Sequence, residues 1–140
     1  ALKAVHGRGI VHRDLKPDTV FITRCVPGER LCVRCGGDVH EGGRELVKLI
    51  DFSISKFPEI TDDPEVVLGT PLYMAPEQIR CESLDGRTDI YALGVLFFET
   101  LTGQLPFMAD TVEEVAHMHQ IASPPSPRSV RPDLDIPAAV

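Results

Sequence analysis

The sequence has no apolar stretch long enough to cross a bilayer. The run Tyr91–Phe98 is far short of the roughly 20 residues a spanning helix needs. It has no surplus of positive charge: 14 Lys and Arg stand against 21 Asp and Glu, a net charge of −7. With no long basic run either, nucleic acid and anionic membrane surfaces are excluded as expected partners. No basic segment followed by an apolar one opens the chain, so no signal peptide is expected. The four cysteines (Cys25, Cys32, Cys35, Cys81) are therefore expected as reduced thiols or metal ligands in a cytoplasmic setting, rather than as disulfides. No internal repeat is present.

What is there is an ordinary globular balance: 140 residues, 43% hydrophobic and 25% charged, enough for one small domain. Ala1–Val5 reads like the middle of a helix with no cap before it, so the chain is expected to be a piece of a longer one. Gly7 and Gly9 stop that helix. Val20-Phe21-Ile22 and Leu46–Ile50 read as short strands, with Pro17 preventing a continuous helix before the first. Thr23 to Gly43, rich in Gly and Cys, reads as a loop or extended hairpin, and residues 51–72 as an irregular loop.

Two helices are predicted. One is capped by Thr88 and runs from Asp89 to about Thr102, with Gly103 as its stop. Its apolar residues go nearly all the way round, so a buried central helix is expected. The other starts at Thr111, with Glu114 completing a capping box. His117 and His119 are expected to be solvated, and Cys81 semi-buried. The Pro-rich tail after Ile121 reads as a surface connection rather than a packed element.

The chemistry is concentrated in His12-Arg13-Asp14-Leu15-Lys16-Pro17-Asp18-Thr19. Asp14 lies between cations, which favour the ionised form a proton acceptor needs. Lys16, two residues on, can neutralise a phosphate oxygen near it. Asp51 directly follows an apolar strand and can hold a hard cation such as Mg²⁺ beside phosphate oxygens. A base, a lysine and a metal-holding carboxylate are the components of phosphoryl transfer. Singly, such a triplet is usually a surface charge cluster, and such an aspartate usually caps a turn. Together and in this order they point to one chemistry.

In this order the chain resembles the C-terminal lobe of a serine/threonine protein kinase of bacterial type. His12–Thr19 is similar to the catalytic loop, Asp51-Phe52-Ser53 to the metal-binding triplet, and Ala75-Pro76-Glu77 to the end of the activation segment. Gly69–Gln78, Asp89–Gly94 and Leu101–Phe107 also resemble family blocks. The resemblance covers the chain except Arg24 to Gly43. It implies an α+β fold: a mainly helical lobe with a small β-hairpin, without the N-terminal lobe. Residues 1–140 would be a partial kinase domain, with 24–43 a Cys/Gly-rich insertion.

The resemblance also implies roles. Asp14 would orient the substrate hydroxyl, Lys16 would touch the transferred phosphate of ATP, and Asp51 would hold Mg²⁺. Arg13 would pair with a phosphorylated or acidic activation loop, for which Thr61 is a candidate phosphosite. Gly69 and Thr70 would border the substrate site. Phe21 would lie under the adenine, His12 and Phe52 would pack together, and Asp89 would anchor the catalytic loop. The implied activity is phosphorylation of Ser or Thr in protein substrates, needing an upstream N-lobe to grip ATP.

Two positions depart from the pattern. Thr19 stands where the family has a second Mg²⁺-binding Asn, so that metal is expected to bind poorly, and Ser53 replaces a Gly. These departures favour an alternative, a pseudokinase that docks without catalysis. In the insertion, Cys25, Cys32, Cys35 and His40 could close around Zn²⁺; the other reading is an extended loop with free thiols.

Overall fold

The computed structural model describes residues 1–24, 45–52 and 71–137. Cys25, Cys32, Cys35 and His40, the activation-segment positions Thr61, Gly69 and Thr70, and Ser53 lie outside the described residues. The described elements are α1 (Leu2–His6), a 3₁₀ turn (Pro17–Thr19), β1 (Val20–Arg24), β2 (Glu45–Leu49) and a second 3₁₀ turn (Pro71–Tyr73). Four helices follow: α2 (Pro76–Ile79), α3 (Gly86–Thr102), α4 (Val112–Ile121) and α5 (Pro127–Val130).

The two strands pair antiparallel, with Val20 opposite Leu49 and Arg24 opposite Glu45. The pairing carries straight on from the 3₁₀ turn, since Ile50 N–H donates to the Thr19 carbonyl at 2.9 Å. The pleat sends alternate side chains to opposite faces. Val20 and Leu49 reach the core; the Ile22–Val47 pair, further along the same face, and Phe21 on the opposite face are exposed. The core itself is Leu15, Tyr73, Ala92 and Val95, flanked by Leu2, Leu72, Tyr91, Leu96 and Leu105.

Helix α3 begins at Gly86, earlier than the predicted Asp89, because Asp85 rather than Thr88 is its cap. The Asp85 carboxylate accepts from Arg87 N–H at 2.8 Å. The Thr88 hydroxyl instead donates to Glu77 at 2.9 Å, joining α3 to α2. Gly103 ends the helix with φ of 74°, a left-handed conformation that glycine adopts without strain. The expectation of a helix buried all round is corrected. Thr88, Asp89, Ala92, Val95, Phe98 and Thr102 are buried, but Ile90, Leu93 and Phe97 are exposed. The described elements cover only one side of α3.

Helix α4 has the predicted capping box: Glu114 N–H donates to Thr111 Oγ1 and Thr111 N–H to the Glu114 carboxylate. The tail is more packed than predicted. Pro127 at the first turn has φ preset for a helix, so α5 forms. Beyond it Arg131 donates to the Thr102 carbonyl at the C-terminal end of α3, and Ile136 is buried. Cys81 is exposed, with φ of 52°, rather than semi-buried. Among the described residues no helix is long and apolar enough to cross a membrane.

Candidate active site

The site is built around one buried carboxylate. Asp89 lies in the first turns of α3 and is 0% exposed. Its Oδ2 accepts from His12 N–H and its Oδ1 from Arg13 N–H, both at 2.8 Å. His6 Nε2 also lies 2.7 Å from Oδ2, tying α1 to the same group. Two successive amides pointing at one carboxylate force an unusual backbone. Arg13 has φ of 70°, a left-handed conformation costly for a side chain with a Cβ. Asp89 supplies the hydrogen bonds that hold it there. The turn places the next residue, Asp14, at the rim.

Asp14 Oδ2 and Lys16 Nζ are 2.8 Å apart, with the lysine partly and the aspartate largely shielded. That hydrogen bond raises the Lys16 ammonium above its ordinary value. Burial opposes the rise, and the charges of Asp14, Asp18 and Asp51 add to it. Lys16 therefore sits in the combined field of three carboxylates from two segments, the loop and the end of β2. Asp51 itself is exposed, with φ of 60°.

Thr19 closes the loop from behind. It is 2% exposed. Its hydroxyl accepts from Lys16 N–H at 3.1 Å and donates to the Lys16 and Asp14 carbonyls at 3.0 and 3.3 Å. His12 is fully buried, its Nε2 3.0 Å from the Ile50 carbonyl and its ring centroid 4.6 Å from that of Phe52. The His12–Thr19 loop is thus linked to the segment carrying Asp51 through a histidine and an aromatic ring. Buried His12 Nδ1 and Arg13 Nε have no hydrogen-bond partner among the described residues. Phe21 projects from β1, 59% exposed, on the same strand pair.

The segment after residue 70 returns to this loop. Gln78 Nε2 donates to the Arg13 carbonyl at 2.8 Å, and its Oε1 accepts from Ala75 N–H at 3.1 Å. Tyr73 donates to Glu99 of α3 at 2.7 Å. Burial, then the Glu99 contact, pushes the Tyr73 hydroxyl pKa well up.

His119, expected to be solvated, is 4% exposed and bonded to Tyr91 and to the Leu72 carbonyl. Its signal lay in the spacing to Val115. Four residues apart on a helix, the two share a face, and both are buried. Gln78 and Glu99 are likewise positions whose partners are distant in sequence. In the sequence Gln78 is marked only as the end of the Gly69–Gln78 block.

The model of the protein kinase domain matches residues 1–136 of this sequence. The chain belongs to the protein kinase family. Serine/threonine-protein kinase Pkn1 of Myxococcus xanthus is 42% identical over 135 residues, covering 94% of this chain and 17% of that kinase. Pkn3 of the same organism is 37% identical over 146 residues, covering all of this chain and 24% of the relative. Serine/threonine-protein kinase PknB of Mycobacterium leprae is 35% identical over 147 residues, covering all of this chain and 20% of that protein. The chain therefore spans about a fifth of the length of these curated relatives. The small antiparallel sheet and the helices built on α3 agree with a kinase-like fold.

Proposed function

We propose that the protein carrying this chain is a serine/threonine protein kinase, and that residues 1–140 form part of its C-terminal lobe, with 24–43 an insertion. The observation that carries the reading is the Asp14–Lys16 pair at 2.8 Å, on a loop whose two preceding amides both end on buried Asp89. A base and a cation held rigidly side by side suit a reaction whose catalysis is chiefly positioning and charge stabilisation. Asp14 accepts the proton of a Ser or Thr hydroxyl as its oxygen bonds to the γ-phosphorus of ATP and the bond to the bridging oxygen breaks, releasing ADP. Lys16 faces the phosphoryl oxygens, leaving Asp14 as its partner at other times.

Asp51 suits Mg²⁺: it is an exposed carboxylate whose charge reaches Lys16 together with those of Asp14 and Asp18, with oxygen donors of the kind a hard cation selects. When bound, that ion neutralises charge on the phosphates. Thr19 fits a second metal poorly, because its buried hydroxyl is committed to the Asp14 and Lys16 backbone. We assign it to the loop rather than to a cation. Arg13, with buried Nε unpartnered among the described residues, suits an anionic group such as phosphate on Thr61. Gly69 and Thr70 would border the acceptor site, Phe21 the adenine. The upstream lobe would complete the nucleotide grip, in the cytoplasm where ATP is available.

The test is phosphate transfer from labelled ATP to a generic basic protein by the full-length protein. Transfer that requires Mg²⁺ is expected. The commitment of Thr19 to the loop also favours a second reading, a docking protein on a kinase fold. Nucleotide binding without transfer, from a folded and monodisperse sample, would establish that reading and overturn the first.

A further inference from the structure

We infer that His119 is a positioning residue that locks the segment Pro71–Ala75 between α3 and α4 and so sets how that segment meets an acceptor peptide. The inference rests on the kinase reading for the word acceptor; the lock itself is a matter of geometry. The Leu72 carbonyl can only accept, so His119 Nε2, 3.1 Å away, carries the proton. Nδ1 is then bare, and the Tyr91 hydroxyl 2.8 Å from it is the donor. One ring thus bridges α3, through Tyr91, to the backbone of the returning segment, in a single tautomer. The ring is also packed between aromatic neighbours. Tyr91 and Phe107 make edge contacts with it, at centroid distances of 5.7 and 4.9 Å.

The consequence follows from what Leu72 adjoins. Tyr73, the next residue, is tied to Glu99, and Ala75 is tied through Gln78 to the Arg13 carbonyl. Arg13 immediately precedes Asp14. A shift of the Leu72 carbonyl therefore moves a short, multiply tethered segment relative to the base. The nucleotide-facing groups Lys16 and Asp51 lie on other segments. Losing the lock should weaken use of the peptide and spare use of ATP.

The experiment compares full-length protein carrying His119→Leu, His119→Gln, Tyr91→Phe and the Tyr91→Phe/His119→Leu pair. His119→Leu is expected to raise KM for an acceptor peptide about fivefold, the factor one buried hydrogen bond is worth, with KM for ATP unchanged. His119→Gln keeps a donor for Leu72 and should restore most of the loss, which a purely space-filling role would not predict. Tyr91→Phe should give a smaller rise, and none in the His119→Leu background, because it acts through the ring. Amide exchange over 71–75 should quicken in His119→Leu and Tyr91→Phe, with α3 unchanged. Equal rises in both KM values, or unaltered exchange over 71–75, would overturn the inference. If His119→Leu fails to fold, Tyr91→Phe decides. If the unmodified protein transfers no phosphate, the kinase reading falls, while the exchange measurement still decides the lock.

Discussion

In the loop His12–Thr19, the backbone is held by other groups at almost every step: Asp89 takes two amides, Thr19 takes one amide and two carbonyls, and Gln78 takes the Arg13 carbonyl. In the strand pair that continues it, β1 and β2, the ladder is regular but apolar side chains on both faces are bare. Phe21, Ile22 and Val47 are 59%, 66% and 56% exposed. The loop is tied down by buried polar groups; the sheet leaves several apolar side chains exposed. The difference teaches where precision resides. A buried polar network fixes one geometry because each unmade bond is costly. Bare apolar side chains on a strand pair fix little beyond register, and individual changes there leave few groups unsatisfied.

The sharpest way to break this contrast is to remove the hub. Asp89→Ala strands the His12 and Arg13 amides and leaves the left-handed Arg13 without support. We expect a loss of about 3–5 kcal/mol in unfolding free energy, measurable by urea titration of the full-length protein. Thr19→Val, close in shape but without the hydroxyl, should cost about 1–3 kcal/mol in the same titration, since Lys16 N–H and the Asp14 carbonyl lose this partner, while the Lys16 carbonyl keeps the Thr19 N–H. On the strand pair, by contrast, the exposed Arg24–Glu45 ion pair at 2.9 Å should contribute no more than about 0.5 kcal/mol, so Glu45→Gln should barely move the midpoint. If the strand change rivals the loop changes, the contrast is wrong.

A pH experiment sharpens the same point at His119. Burial lowers the folded pKa of this imidazole below its ordinary 6.5, with the Leu72 carbonyl opposing the shift. The folded state resists a proton that the unfolded state accepts. Stability from this group is therefore present above the ordinary value and is lost as pH falls through it towards the folded value. His119→Gln removes the titration, so the fall in thermal midpoint on acidification through that window should be smaller in the variant than in the unmodified protein. An equal fall in both would remove His119 from the account.

Much of this was legible in the sequence, for reasons that differ by residue. The two short strands, the Gly103 stop and the Thr111 box rest on local chemistry, in which spacing and residue type carry the signal. The start of α3 was misplaced because Asp85, Thr88 and Asp89 are all good caps, and only the partner Glu77 shows that Thr88 is committed elsewhere. The exposed faces of Ile90, Leu93 and Phe97 could not be told from buried ones, because periodicity reports apolarity and not what covers it. For His119 the informative neighbour is Val115, four residues away on the same buried face of the helix. The packed tail was missed because proline content argues against long elements, yet it permits a one-turn helix at Pro127 and leaves Arg131 able to reach Thr102.

The most direct test of the central claim, that the Asp89-anchored loop presents Asp14 as the base for phosphate transfer, is Asp14→Asn in the full-length protein. Asp14 contributes its side chain to Lys16 and its carbonyl to Thr19, and the substitution keeps the carbonyl. An unchanged thermal midpoint is expected, with transfer from labelled ATP lowered by about 10²–10⁴-fold, the range a positioned base supplies. A variant that folds as the parent does and still transfers phosphate at the parental rate would contradict it.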